Sequence, residues 1–296
     1  MTNFHLAGII PVSSIELNYN LPYHPCLLPI EEDFLLIHRS IMECAWAGCE
    51  TIWIVMDPDI TPIFRKVIGD YVYDPVNYYR PMDVDRLAKR TMIPIYFTTV
   101  DIRNRDKRDS YGWSIIEGAY MSYRVSKQLS KWIIPDRYYV SFPWAIYPPE
   151  IVREHRKLIS SHNTKKFMIR ANGSGVKEDK YLGFTFDQQD FINCRSFVRK
   201  EGTGRYVPGG KKNEQGIPRE LLPVEERWSA RNFKMSEVFS QLSSDTHDLE
   251  LGYYHDVTSW DGYRNFMASD IKVGKPKVEQ WLTKSRYKKN LLDFDQ

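Results

Sequence analysis

The residues with the widest chemical scope lie late in the chain. In LGYYHDVTSWDGYRNF, residues 251–266, His255 and Asp256 stand side by side before a segment that reads as a helix from Trp260 to about Met267. A carboxylate there holds a cation, takes a proton or caps the helix that follows, and the imidazole is a base or a ligand. Asp57 and Asp59, in Asp-Pro-Asp, follow the apolar run ETIWIVM and so fall at the carboxyl end of a strand, where α/β sheets hold ligands. Trp144, just after DRYYVSF, stands at another strand end, where its ring stacks on a base or a sugar or else packs in the core. Residues 195–235 interleave Arg and Lys with Phe197, Tyr206, Trp228 and Phe233, and the C-terminal stretch is basic again. Cations position phosphates and aromatic rings stack on unpaired bases, so Arg199, Lys200, Arg205, Lys211, Lys212, Lys288 and Lys289 are candidate contacts to DNA or RNA; the alternative is a solvated basic face.

The elements that would position these residues alternate. FHLAGIIPV, residues 4–12, is a continuous apolar run that suits a buried parallel strand. EEDFLLIHRSIMECAWAG has apolar residues at helical spacing, three acids at its start and Gly48 as a stop, so it predicts a helix. ETIWIVM is the next strand. A helix over ITPIFRKVIG, with Pro62 in its first turn, a strand over IPIYFTTV, a helix over SIIEGAYMSYRVSKQL, a strand over DRYYVSF and a helix over PPEIVREHRKLI continue the pattern. The fold class is therefore α/β, a doubly wound and mostly parallel sheet. After about residue 162 the pattern changes. KKFMIR, YLGFTFD and NCRSFVR read as shorter, antiparallel strands, residues 200–218 as a polar loop, KMSEVFSQL as a helix, LELGYYHDV as a strand, and 276–290 as a basic amphipathic helix. The organisation expected is a nucleotide-binding α/β half over 1–162 and an acceptor or substrate half over 163–296, joined as one continuous domain.

Two stretches resemble the sugar-phosphate nucleotidyltransferases, which have a glycosyltransferase-A-like fold. LLPI followed by IHRSIMECAWAGCETIWIV is similar to that family's early strand, helix and strand, with its Leu-Pro segment and its Ala-Gly turn. Residues 251–266 are similar to its late Trp-x-Asp-x-Gly-Thr-x-x-x-Tyr segment, with Thr258 and Tyr263 in matching surroundings. The resemblance implies that Asp256 is a ligand of Mg or Mn, that Ala7, Gly8, Ser13 and Ser14 line the nucleotide, and that Gly112 opens a helix facing the base or sugar. The departures are as informative. The family opens Leu-Ala-Gly-Gly-x-Gly-Thr-Arg; here Ile9, Ile10, Pro11, Val12 and Ser13 follow Leu6-Ala7-Gly8, and Pro11 lacks an amide donor. The family's Lys before the Leu-Pro segment is absent, and Pro143-Trp144 stands where the family has Gly-Asp. Residues 1–60 contain one basic residue, Arg39, against eight acidic ones, a poor match for a triphosphate.

Composition narrows the rest. No run of eighteen apolar residues predicts a membrane span, and MTNFHLAGII lacks the basic start of a secretory signal. Cys26, Cys44, Cys49 and Cys194 show no Cys-x-x-Cys spacing, so free thiols in a cytoplasmic protein are expected rather than a zinc or disulfide framework. Three functions remain: a transferase that moves a glycosyl group from a nucleotide-sugar, with a nucleic-acid base as acceptor in a DNA-modification role; a sugar-1-phosphate nucleotidyltransferase with an unusual site; and a non-catalytic nucleotide- or nucleic-acid-binding protein of the same fold.

Overall fold

The computed structural model describes residues 4–15, 17, 19–76, 92–129, 134–162, 165–201, 203–204, 223, 228–271 and 273. In its first part, β1 (Leu6–Pro11) leads to the hairpin β2 (Pro29–Glu31) and β3 (Phe34–Leu35), then α1 (Leu36–Ala47), β4 (Thr51–Val55), α2 (Thr61–Ile68) and β5 (Tyr71–Tyr73). Next come β6 (Met92–Thr98), α3 (Ile102–Arg108), α4 (Tyr111–Leu129), β7 (Arg137–Val140), β8 (Ala145–Ile146) and α5 (Arg156–Ile159). The last part holds β9 (Lys166–Ala171), β10 (Phe184–Asp187), α6 (Gln188–Glu201), β11 (Thr203–Gly204), β12 (Trp228–Ser229), α7 (Met235–Val238), β13 (Thr246–Leu251), β14 (His255–Asp256) and α8 (Trp260–Met267).

One eight-stranded sheet runs in the order β13-β9-β10-β7-β1-β4-β6-β5 and takes strands from both sides of residue 162. Its centre, β7-β1-β4-β6, is parallel. β5 and β10 run antiparallel to their neighbours, while β13 pairs parallel with β9. β1, β4 and β7 are buried along their whole length, which is why LAGIIP and TIWIV read as unbroken apolar runs. Alternation along β1 then assigns the helices to faces. A Cβ on Gly8 would meet Cys44 and Cys49, the first in α1, whereas Ile9 and Val55 reach Gly118 of α4. So α1 and α4 cover opposite faces. Gly48 ends α1 at φ +94°, a left-handed conformation that glycine adopts without Cβ strain.

Several sequence expectations give way here. Glu31, Glu32 and Asp33 fill the turn of the β2–β3 hairpin rather than the first turn of α1, which begins at Leu36. NCRSFVR is helical: Asp187 Oδ1 accepts from the Asp190 amide at 2.9 Å, which caps α6, and Phe191, Cys194 and Val198 form its buried stripe. The helix expected over 148–159 divides into a 3-10 turn, Pro149–Arg153, and the short α5. The turn between them brings Arg156 onto Asp74 at 2.6 Å and onto the Ala45 carbonyl at 2.9 Å, near the end of α1. LELGYYHDV divides into the end of β13 and the two-residue β14. The loop 200–218 lies largely, and the helix over 276–290 wholly, outside the described residues.

Candidate functional site

In a sheet ordered β7-β1-β4-β6, the chain winds outward from β1 through β4 and β6 and then returns to the other side of β1 as β7. The switch point therefore lies between the carboxyl ends of β1 and β7, the position where such sheets hold ligands. Ala7 and Gly8 are not at that end. β1 continues to Pro11, so roughly 10 Å of strand separates Gly8 from the edge. Ala7 pairs with Thr51 and Tyr138, and Gly8 with Ile52 and Tyr139, inside the core. The resemblance put Ala7 and Gly8 at the nucleotide, but Ile9 and Ile10, where the family has a Gly-rich turn, continue the strand past them.

The base of the crevice is aromatic. Trp144 is fully buried; its Nε1 donates to the Tyr111 oxygen at 2.7 Å, and the Tyr111 hydroxyl donates to the Pro11 carbonyl at 3.0 Å. Phe142 packs 5.8 Å from Tyr111, and the His24 ring lies 6.2 Å from Trp144 and 5.6 Å from Phe64. The indole thus belongs to the floor, with its one donor already used. Gly112 lies within the first turn of α4 rather than in a turn before it, and a Cβ there would meet Val238 of α7 at 2.8 Å, a packing contact.

Polar groups ring that floor. The Ser13 and Ser141 hydroxyls, at the ends of adjacent strands, are buried and have no hydrogen-bond partner among the described residues. Ser14, at φ +66°, donates its hydroxyl to the Asp109 carboxylate and lies 3.3 Å from the Ser114 hydroxyl. Asp57 and Asp59 are exposed at the end of β4, where the Asp57 carbonyl accepts from the Thr61 amide and hydroxyl at the start of α2. Burial lowers the His24 imidazole below its usual range, against the smaller pull of Asp57 and the Val12 backbone, so the ring is neutral at neutral pH.

Asp256 comes to the same edge from the far end of the sequence. β14 pairs with β8 so that Asp256 lies opposite Ala145, and the Val257 amide donates to the Trp144 carbonyl at 2.8 Å. The carboxylate is exposed; its Oδ1 accepts from the Thr258 amide at 3.0 Å and the Thr258 hydroxyl at 2.7 Å, while Ser259 caps α8. Half-buried Tyr19, Tyr181 and Tyr254 gather round it. Burial first, with a contribution from the Asp256 charge, raises all three phenols above the ordinary tyrosine range and keeps them protonated. Tyr19 donates to the Val257 carbonyl at 2.8 Å and meets Trp260 edge-on at 6.2 Å. His255, one residue before Asp256 in the strand, has its ring edge-on to Phe266 at 5.5 Å, and burial lowers its pKa; neighbours in a strand point to opposite faces, so the two residues do not act on one ligand.

Among the described residues no group of three or more His, Cys, Asp or Glu is placed to hold a metal ion. Asp256 offers one carboxylate ligand, and Mg²⁺ is commonly held by one or two carboxylates, with waters and substrate phosphates completing its octahedron. Of the residues expected to contact nucleic acid, Arg199 and Lys200 are exposed in the last turn of α6, and Arg205, Lys211, Lys212, Lys288 and Lys289 lie outside the described residues. All four cysteines are free and buried, and no helix among the described residues is long and apolar enough to cross a membrane. Tyr19, His24, Asp109, Tyr111, Ser141, Tyr181 and Tyr254 escaped the sequence reading. The only trace of the four tyrosines in the sequence is the large number of such residues, 19 in all, and nothing local singles out the other three.

No protein-family model matches the chain, and no curated protein matches it. Among solved structures, the chain is similar to a protein described as a glucose-1-phosphate thymidylyltransferase from Bacillus anthracis, in complex with a sucrose. The TM-score is 0.53 at 10% identity, covering 91% of this chain and 98% of that one. It is also similar to a UDP-glucose pyrophosphorylase complexed with UDP-glucose, with a TM-score of 0.45, 12% identity and coverages of 89% and 97%. For Rv0371c of Mycobacterium tuberculosis the TM-score is 0.43 at 14% identity, with coverages of 90% and 100%. The first likeness shows the fold: a sugar-phosphate nucleotidyltransferase-like α/β sheet over nearly the whole chain.

Proposed function

With that fold as the premise, we propose that the chain is a transferase that binds a nucleotide-sugar at the carboxyl edge of its sheet and passes the glycosyl group to an acceptor, for which a nucleic-acid base is the class the basic second half suits. The observation that carries this reading is Asp256, exposed beside the switch point opposite Ala145, with Tyr19 bonded to the next carbonyl in the chain and edge-on to Trp260. A carboxylate accepts sugar hydroxyls, and aromatic rings offer apolar faces to the sugar. In the transfer, the acceptor attacks the anomeric carbon, the bond from that carbon to the diphosphate oxygen breaks, and the acceptor's proton passes to Asp256 as general base.

The edge is poorly suited to a triphosphate. Arg39, the one cation of the first sixty residues, is fully buried and gives its donors to Glu43 and to the Phe142 and Tyr147 carbonyls. Asp109 places a carboxylate beside the loop after β1. The unpartnered Ser13 and Ser141 hydroxyls suit neutral groups. Mg²⁺ and Mn²⁺ are arms of the test, since waters and the diphosphate complete the shell of an ion held by a single carboxylate.

Calorimetry with a panel of nucleoside diphosphates and nucleotide-sugars, with and without Mg²⁺ or Mn²⁺, is the direct measurement. Binding is expected for a nucleotide-sugar, weakened ~10- to 100-fold in Asp256→Asn, the size of a hydrogen bond to a charged group. No binding across the panel sinks the reading. Pyrophosphate release from a nucleoside triphosphate and a sugar 1-phosphate would replace it with nucleotidyl transfer.

A further inference from the structure

Arginines from two helices pack onto one face of α4, over Trp113 and Tyr120, which stand about two turns apart, and a third follows one turn on. Arg108 ends α3, while Arg195 and Arg199 lie one turn apart on α6, which packs against α4. Each of the first two is braced. The Arg195 guanidinium sits 4.2 Å from the Tyr120 ring centroid and 5.8 Å from that of Phe191. The Arg108 guanidinium sits 5.6 Å from the Trp113 centroid, and its Nη1 donates to Asn104 Oδ1 at 3.0 Å. None of the three forms an ion pair among the described residues. The Nε atoms of Arg108 and Arg195 are buried with no hydrogen-bond partner among them. The acids that face the group are Glu117, which is 3% exposed, and Asp101, whose carboxylate accepts from the Arg103 amide. Burial and the charges of Arg199 and Arg195 lower the Arg108 pKa, and burial raises Glu117.

Glu117 offsets one of these charges, and the guanidinium donors that remain in a like-charged group favour an added anion. A guanidinium fork matches phosphate oxygens in pairs. The cationic strip is also longer than one phosphate: exposed Arg103 extends it along α3, and Lys200, 85% exposed, extends it past the end of α6. We infer that Arg108, Arg195 and Arg199 form a phosphate-binding site for the backbone of a nucleic-acid strand. The inference rests on the transferase reading only for what happens to the strand once bound.

The test is fluorescence anisotropy with a labelled single-stranded DNA oligonucleotide, titrated at several salt concentrations, on the full chain and on Arg108→Gln, Arg199→Gln and the double variant. The wild type should bind with a strong salt dependence. Each substitution should reduce the slope of log K against log salt by about 0.7 and weaken binding alike across sequences. Unliganded Arg199→Gln should melt no lower than wild type, because it removes a repelled charge, so loss of binding is separable from loss of folding. A double variant with wild-type affinity and slope overturns the site, as does the absence of oligonucleotide binding at low salt. Pyrophosphate, measured by thermal shift, distinguishes the source: binding that the double variant loses, without oligonucleotide binding, overturns the strand. Nucleotide-sugar binding is read separately on the wild-type chain by calorimetry, so failure here and failure of the transferase reading are told apart.

Discussion

Trp144 shows how one residue changes role between pattern and packing. Its place after a strand suggested a stacking surface, but its ring is fully buried and its donor is held by Tyr111. Trp144→Ala should therefore cost about 3–5 kcal/mol of stability in urea unfolding, the usual range for emptying a large aromatic site. Trp144→Phe keeps most of the volume and isolates the hydrogen bond, at about 1 kcal/mol. Asp256→Asn should move the urea midpoint little, since the carboxylate is exposed and an amide oxygen still accepts from Thr258. A fall in Asp256→Asn stability comparable to that of Trp144→Ala would make Asp256 a structural residue instead.

At the scale of elements, α1 is fixed to β7 by a buried charge network. Arg39 Nη2 donates to Glu43 Oε2 at 2.5 Å, and the Tyr139 and Tyr147 hydroxyls donate to Glu43 Oε1 at 2.6 and 2.8 Å. Replacing the pair by apolar residues is often neutral, but removing one partner strands the other charge. Glu43→Gln should thus cost about 3–5 kcal/mol in chemical unfolding. Restoration to near wild type in Glu43→Leu combined with Arg39→Met would confirm the reason. A second element-scale joint lies under the site, where a Cβ on Gly262 in α8 would collide with the Asp256 carbonyl. Gly262→Ala should displace the Asp256 turn and lower nucleotide-sugar affinity in calorimetry while the helix content by circular dichroism stays unchanged.

For the whole molecule, burial of histidines sets a pH dependence. His24, His155 and His255 all have imidazoles lowered first by burial, so the folded chain binds fewer protons than the unfolded one near their ordinary value. Their stabilising contribution is complete above about pH 6.5 and is lost as pH falls from there through the folded values. Urea midpoints measured between pH 5 and pH 8 should fall on the acid side, and His24→Gln should flatten that slope. A flat profile in the wild type would show that the folded imidazoles are not depressed.

The central parallel strands, α1, α2, α4 and α8 were legible because buried strands and amphipathic helices write their contacts as local periodicity. The cation-poor opening was legible from charge composition, and Asp256 was singled out by the resemblance of residues 251–266 to a family segment. NCRSFVR misled because Phe and Val also suit strands, while the capping by Asp187 that makes it a helix depends on geometry. Nothing in the sequence announced that Tyr19 bonds the carbonyl beside Asp256, that Asp109 takes the Ser14 hydroxyl, or that Arg108 and Arg195 pack onto one face of α4. Those groupings join residues many positions apart. Spacing along a chain encodes which face a residue occupies, but only the docking of strand ends and helices decides which faces meet.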